Sequence, residues 1–273
     1  MVNIESLREV MLENREEVMR HTVIKRNISL YGFDRQLLVG ARRAGKSYLL
    51  YGKIQELLAA GRTWDEIVYV NFEDERLAGM ECEDLNKILE VHTALGGKRP
   101  MLFLDEIQNI DGWERFARRL ADSKYTVYIT GSNAKMLSVD VSAALGGRYM
   151  TREVFPMQFN EYLAANGVDS DSPLLTATTA SRGRLMGLFE EYYQFGGFPE
   201  CAALPVKRDY LMILYQKIFL GDIAARYRVE NIFALRVLFR KLAECVKQPL
   251  SFTRAANIVA STGTKIGKSS VIN

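Results

Sequence analysis

The sequence is short of the residues that staple or anchor a fold. Its 273 residues include three cysteines, at positions 82, 201 and 245, odd in number and far apart. A disulfide framework is not expected from such a set, and a reducing, cytoplasmic setting is. His21 and His92 are the only two histidines, and they leave no zinc-binding spacing. No stretch of about 18 apolar residues exists, so no membrane-spanning helix is expected. The first twenty residues alternate acidic, basic and apolar side chains, which is wrong for a signal peptide. What remains is average: 48% hydrophobic, 25% charged, mean hydropathy −0.08. Those values exclude a disordered or collagen-like chain, and the length suits two domains. The formal charge of +3 hides an asymmetry, because residues 206–273 sum to +8 and the rest to −5. A basic segment behind an acidic body points to a partner with phosphates, or simply to a solvated basic face.

Residues 4–19 place Ile4, Leu7, Val10, Met11, Val18 and Met19 near one face of a helix. Gln36-Leu37-Leu38-Val39-Gly40 is a short apolar run ended by glycine, and it predicts a buried strand. A helix follows at 47–60, stopped by Gly61. A strand at 67–72 and a helix at 85–95, closed by Gly96-Gly97, come next. The strand at 101–104 is continuously apolar, as strands covered on both faces are. Residues 111–121 predict a helix with Asp111 and Glu114 as its capping box. Then come a strand at 126–129, a helix at 133–145 capped by Asn133, and a strand at 153–155 ended by Pro156. Strands alternating with helices predict a parallel sheet in an α/β domain. Beyond Pro156 the pattern is helical only, at 159–166, 181–194, 206–220 and 231–246, interrupted at Gly196-Gly197-Phe198-Pro199. The double glycines at 96, 146 and 196 have unlike flanks, so no repeat is inferred.

Gly40-Ala41-Arg42-Arg43-Ala44-Gly45-Lys46-Ser47 fits G-x-x-x-x-G-K-[ST], between a predicted strand and a predicted helix. Glycines there let backbone N–H groups turn around an anion, and the helix start offers its positive dipole end. Lys46 is expected to reach the β- and γ-phosphates of a nucleotide, and Ser47 to ligate Mg²⁺. Gly40 through Ser47, together with Tyr48, form the expected nucleotide-binding set. A second cluster, Gly263-Thr264-Lys265-Ile266-Gly267-Lys268-Ser269, has one residue too few between its glycines and no strand before it. It reads as a turn and helix start.

Leu104-Asp105-Glu106 ends an apolar strand in two acids, at the sheet edge where ligands of open α/β sheets bind. Asp105 is expected to hold Mg²⁺ through its water shell, and Glu106 to orient and deprotonate an attacking water. The next strand ends in Thr130-Gly131-Ser132-Asn133. Ser132 is the choice for touching the γ-phosphate or the water, with Thr130 and Asn133 as rivals and helix capping as the plainer role. Arg148, after Gly146-Gly147, is placed to neutralise charge on a transferring phosphoryl group, or is a surface arginine after a glycine cap. Glu73 and Asp74 also lie at the ligand edge, with their role open. One of Arg42 and Arg43 is expected to pair with an acid rather than with phosphate. Tyr31 or Phe33 is either a stacking partner for adenine or a core residue.

From about Val23 onward the chain resembles the bacterial and archaeal ATP-binding proteins of the AAA superfamily whose second half is the domain of unknown function 4143. The likeness rests on the 40–47 and 104–108 segments, Asn71-Phe72-Glu73-Asp74-Glu75-Arg76-Leu77, Thr130-Gly131-Ser132 and Leu145-Gly146-Gly147-Arg148. Phe155-Pro156-Met157-Gln158-Phe159-Asn160-Glu161-Tyr162 and Gly196-Gly197-Phe198-Pro199-Glu200 extend it. The resemblance implies a P-loop ATPase core with a five-stranded parallel sheet in the order 5-1-4-3-2, a helical lid and a winged-helix region. It implies Lys46 and Glu106 in the catalytic roles above, with Ser47 and Asp105 on the metal; Ser132 and Arg148 complete the expected catalytic set, and the expected domains are 1–160, 161–225 and 226–273. Arg148 matches an arginine finger, acting in cis or in trans. Members of this group are about a hundred residues longer, and the chain is expected to stop one turn into a helix that Ser269 would cap.

Two functions follow. One is a Mg²⁺-dependent ATPase. The other is a slow-turnover, nucleotide-gated adaptor that contacts DNA or a protein through its basic helix-turn-helix segment at 226–273. ATP or ADP and Mg²⁺ are the expected ligands, oligomers are allowed, and a membrane partner is not expected. Hydride transfer and metallohydrolase chemistry lack their residues: no G-x-G-x-x-G follows a strand and no histidine pair exists.

Overall fold

Five short strands form one parallel sheet in the order β2-β3-β4-β1-β5, the predicted order read from its other edge. They are β1 (Arg35–Val39), β2 (Ile67–Asn71), β3 (Met101–Asp105), β4 (Val127–Gly131) and β5 (Met150–Glu153). A computed structural model describes residues 3–132, 136, 139–225, 229, 231–245, 249 and 251–261, without the side chains of 139, 140, 142, 222 and 225. The expected Asn133 cap, the second glycine-lysine cluster and the Ser269 cap lie outside these residues.

Side chains alternate across a strand, so each strand feeds two cores. Leu37, Val39, Val68, Val70, Leu102 and Leu104 share one core with α1 (Ile4–Arg20), α3 (Lys87–Ala94) and α4 (Trp113–Asp122). Leu38, Tyr69, Phe103 and Tyr128 share the other with Leu50 and Ile54 of α2 (Lys46–Ala59). Residues 69, 103 and 105 therefore all face α2.

Local chemistry moved several boundaries. Ile4 and Met19 are 52% and 55% exposed, so the buried face of α1 is Leu7, Val10, Met11 and Val18. The Asp111–Glu114 capping box is not formed. α4 begins at Trp113 after Gly112 at φ +76°, with no side-chain cap, and the buried Trp113 indole fixes the entry. The expected helix at 85–95 begins as a 3-10 turn, Cys82–Asn86. The fifth strand is Met150–Glu153, not 153–155. It pairs only with β1 and none of its residues is buried, so no apolar run marks it.

The chain gathers into two compact units, Met1–Lys207 and Arg208–Asn273. Past the sheet, the first unit holds α5 (Val139–Leu145), placed before β5, and then α6 (Phe159–Ala165), α7 (Thr179–Phe195) and α8 (Pro199–Ala203). Tyr192 of α7 packs against Phe159 and Tyr162. α9 (Lys207–Gln216) leads into the second unit and continues as a π-helical stretch, Lys217–Ala225, past the expected end at 220. There Phe219 packs against Tyr215 and Phe239. α10 (Ile232–Glu244) and α11 (Phe252–Ala260) follow, with Asn231 and Ser251 accepting from the third backbone N–H beyond each. No helix among the described residues is long and apolar enough to cross a membrane.

Candidate functional site

After Val39 the chain turns through residues 40–45 into α2. Arg43 at φ +61° and Gly45 at φ +95° give that turn its left-handed residues. Gly40 has a packing reason that the motif alone does not reveal: a Cβ there would lie 2.0 Å from the Val154 carbonyl oxygen. α2 starts with no side-chain cap, so its first N–H groups are open to an anion. Lys46 is buried, its ammonium donating to the carbonyls of Gly40 at 3.2 Å and Ala41 at 3.1 Å. Its Nζ also lies 3.3 Å from Glu106 Oε1.

Asp105 ends β3 on the α2 side and is 1% exposed. Tyr69 donates its hydroxyl proton to Oδ2 at 2.8 Å, and Thr130 donates to Oδ1. Ser47 adds a third hydrogen bond. Burial pushes the Asp105 carboxyl above its usual value, opposed by these three hydroxyls. Glu106 then turns at φ +54°, a left-handed conformation that costs about 1–3 kcal/mol. Its N–H donates to Thr130 Oγ1 at 2.9 Å. Ser132 donates to Glu106 Oε2 through its N–H at 3.2 Å and its hydroxyl at 2.7 Å, and the Gln108 amide adds 2.6 Å. Burial raises the Glu106 pKa, but the Lys46 ammonium and the Ser132 and Gln108 bonds outweigh it and hold the carboxyl low. Lys46, Ser47, Asp105, Glu106 and Ser132 are therefore one network, and Thr130 bridges its two acids.

Hard oxygen donors suit magnesium, which takes one or two protein groups and completes its shell with water and phosphate. Ser47 and Asp105 fit that donor set. No cluster of three His, Cys, Asp or Glu among the described residues could hold a metal without such help. A cavity of about 340 Å³ opens beside Tyr48, Gly52 and Lys53 of α2, and Tyr31 lines it. Tyr31 is 64% exposed, so the core role offered for it does not hold. Phe33 instead faces the Arg35 guanidinium at the start of β1.

Both loop arginines pair with acids, not one. Arg42 meets Glu73 at 2.8 Å and Arg43 meets Glu200 at 2.7 Å. Asp74 caps the turn Glu75–Leu77 and bonds Arg76. Sequence reasoning missed Arg26. Its guanidinium donates to the Ala44 carbonyl at 3.0 Å, the Phe155 carbonyl at 2.8 Å and Glu161 Oε1 at 2.9 Å. The side chains of Arg26 and Glu161 are 6% and 3% exposed, and an arginine close to Val23, Ile24 and Ile28 was the available signal.

Arg148 is not brought to this network. Its carbonyl accepts from Arg35, at the start of β1, and its guanidinium meets Asp122 at 2.6 Å. The loop at 40–45 leaves the other end of that five-residue strand, roughly 16 Å away at 3.3 Å per residue.

Residues 34–163, just under half of the chain, match the family described as an AAA domain. An uncharacterized protein of Methanocaldococcus jannaschii is 32% identical over 97% of this chain and 59% of its own length. One of Haemophilus influenzae is 31% identical over 83% and 55%. The chain thus spans under two thirds of these curated relatives. A Walker-type ATPase of Pyrococcus abyssi shares the fold at TM-score 0.52 and 14% identity, over 100% of this chain and 88% of that one.

Proposed function

We propose that this chain uses the AAA domain at residues 34–163 to bind and hydrolyse ATP with magnesium, and that nucleotide state repositions its helical remainder. The observation that carries this reading is the joined network: the Lys46 ammonium sits 3.3 Å from Glu106, while Ser47 bonds the adjacent Asp105. On nucleotide binding, Lys46 exchanges the Gly40 and Ala41 carbonyls and Glu106 for β- and γ-phosphate oxygens. Ser47 and Asp105 would hold the magnesium ion, which would supply neutralisation of phosphate charge. Released from Lys46, Glu106 accepts the proton of the attacking water. Ser132 keeps that carboxylate oriented, which replaces its expected contact with the γ-phosphate by one with the base. Tyr48 and Tyr31 line the cavity that receives the base of the nucleotide. Arg148 serves the site of a neighbouring copy, in trans, since its own site lies at the other end of β1.

Phosphate release tests this. Lys46→Ala should lose nucleotide binding, and Glu106→Gln should bind ATP but turn it over at about a hundredth of the parent rate. Parent-like hydrolysis by both variants overturns the proposal.

A second reading is favoured by Glu106 itself. A carboxylate held low by Lys46, Ser132 and Gln108 is a poor base until those contacts change. Slow turnover, with ATP holding a state and the basic 226–273 region contacting DNA or a protein, fits that observation. It predicts single-turnover hydrolysis far slower than nucleotide exchange, and DNA binding, if that is the partner, that weakens steeply with salt.

A further inference from the structure

Tyr69 is out of place in its strand. Its neighbours in β2 are Ile67, Val68 and Val70, all buried, and Tyr69 is itself 2% exposed. A buried phenol needs a hydrogen-bond partner, and phenylalanine fills the same volume without that need. Tyr69 pairs in register with Phe103, on the face shared with α2, and Asp105 lies two residues further along the same face of β3. From there its hydroxyl reaches Asp105 Oδ2 at 2.8 Å. The Tyr51 hydroxyl is the other oxygen in range, at 3.4 Å, near the limit of a hydrogen bond. The better bond goes to the acid.

A carboxylate offers about four acceptor positions. Three hydroxyls, from Tyr69, Thr130 and Ser47, occupy Asp105. Thr130 and Tyr69 hold opposite oxygens, so the carboxylate plane cannot swing without breaking one of them. Groups that fix a metal-binding side chain in this way set metal affinity nearly as strongly as the ligands do.

We infer that Tyr69 is a positioning residue for the metal: its buried phenol locks the Asp105 carboxylate in the one orientation that serves Ser47 and a hydrated magnesium ion. The inference rests on the metal role proposed above for Ser47 and Asp105. It adds a residue that the loop and acid motifs do not contain.

The test uses Mn²⁺ in place of Mg²⁺, with free Mn²⁺ counted by electron paramagnetic resonance in the presence of ADP and the whole chain. Binding of a fluorescent ADP in EDTA is measured alongside. Tyr69→Phe should weaken ADP-dependent Mn²⁺ binding by about tenfold, and should leave metal-free ADP affinity within about twofold of the parent. Tyr51→Phe removes the hydroxyl that touches Tyr69 but not Asp105, and it should leave Mn²⁺ affinity within about twofold. Unchanged Mn²⁺ affinity in Tyr69→Phe overturns the inference. So does an equal loss in Tyr51→Phe, or an equal loss of metal-free ADP binding, since either reports general loosening of the core. If the parent itself binds no Mn²⁺ with ADP, the metal role of Ser47 and Asp105 fails first and takes this inference with it.

Discussion

The two ends of the sheet are built on different principles. At the C-terminal end, Lys46, Asp105 and Glu106 are 4%, 1% and 7% exposed and share one hydrogen-bonded network. At the other end, Arg148 and Asp122 meet with side chains 29% and 55% exposed. An exposed pair is loosely held and screened by salt, whereas a buried charge cannot leave one partner without finding another. One chain thus assembles only part of the proposed site. The residues proposed to bind nucleotide are assembled within the chain. Arg148, the arginine proposed to stabilise the transition state, is kept apart from them in its pair with Asp122, which it can leave at little cost.

The largest effect is expected from Arg148→Ala. If Arg148 acts across copies, ATP turnover should fall by about a thousandfold, the range of an arginine finger, while nucleotide affinity holds. Mixing that variant with Lys46→Ala should restore turnover, because each supplies what the other lacks. Phosphate release from separate and mixed samples decides it. Parent-like turnover by Arg148→Ala alone would leave the exposed end of the sheet with no part in the reaction.

How much of this was legible in the sequence follows the same divide between local and distant. β1, β3 and the loop between Gly40 and Ser47 could be read directly, because a strand, a turn and a helix start are written in consecutive residues. Asp105 and Glu106 could be read for the same reason. Tyr69 reads as one more strand residue, and its partner is 36 positions away. Arg26 and Glu161 are 135 positions apart, beyond any periodicity. The β5 boundary failed because an edge strand with exposed side chains carries no apolar signal. The capping box at Asp111 failed because a capping pattern only offers hydrogen bonds, and the buried Trp113 fixed the helix start elsewhere.

A smaller effect sharpens the contrast from the buried side. Arg26 ties the 40–45 loop, through the Ala44 carbonyl, to the Phe155 carbonyl and Glu161. Lysine keeps the charge but cannot make three bonds in a fixed fork. Arg26→Lys should therefore lose two of them and cost about 2 kcal/mol in urea unfolding. Arg148→Ala, at the exposed end, should leave the unfolding midpoint almost unmoved. Equal effects of the two would erase the distinction between the ends.

The smallest effect is in pH. Burial pushes the Glu161 carboxyl up, but the Arg26 guanidinium and the N–H groups of Asn27 and Gln158 outweigh burial and bring it below its ordinary 4.5. A carboxylate lowered on folding contributes stability above its unfolded value, and that stability is lost as pH falls through the folded value. The loss therefore begins near pH 4.5 and grows below it. Glu161→Gln removes the titrating group, so its melting temperature, though lower at neutral pH, should fall less than the parent's between about pH 5 and pH 3.5. Asp122, exposed and paired with Arg148, is also lowered, first by its hydrogen bond to that arginine. Its pair stands in solvent, where the interaction is screened, so Asp122→Asn should leave the acid slope of the parent intact. Parallel melting curves for Glu161→Gln and the parent would mean that the Arg26–Glu161 pair is no more tightly coupled to folding than the one at the exposed end.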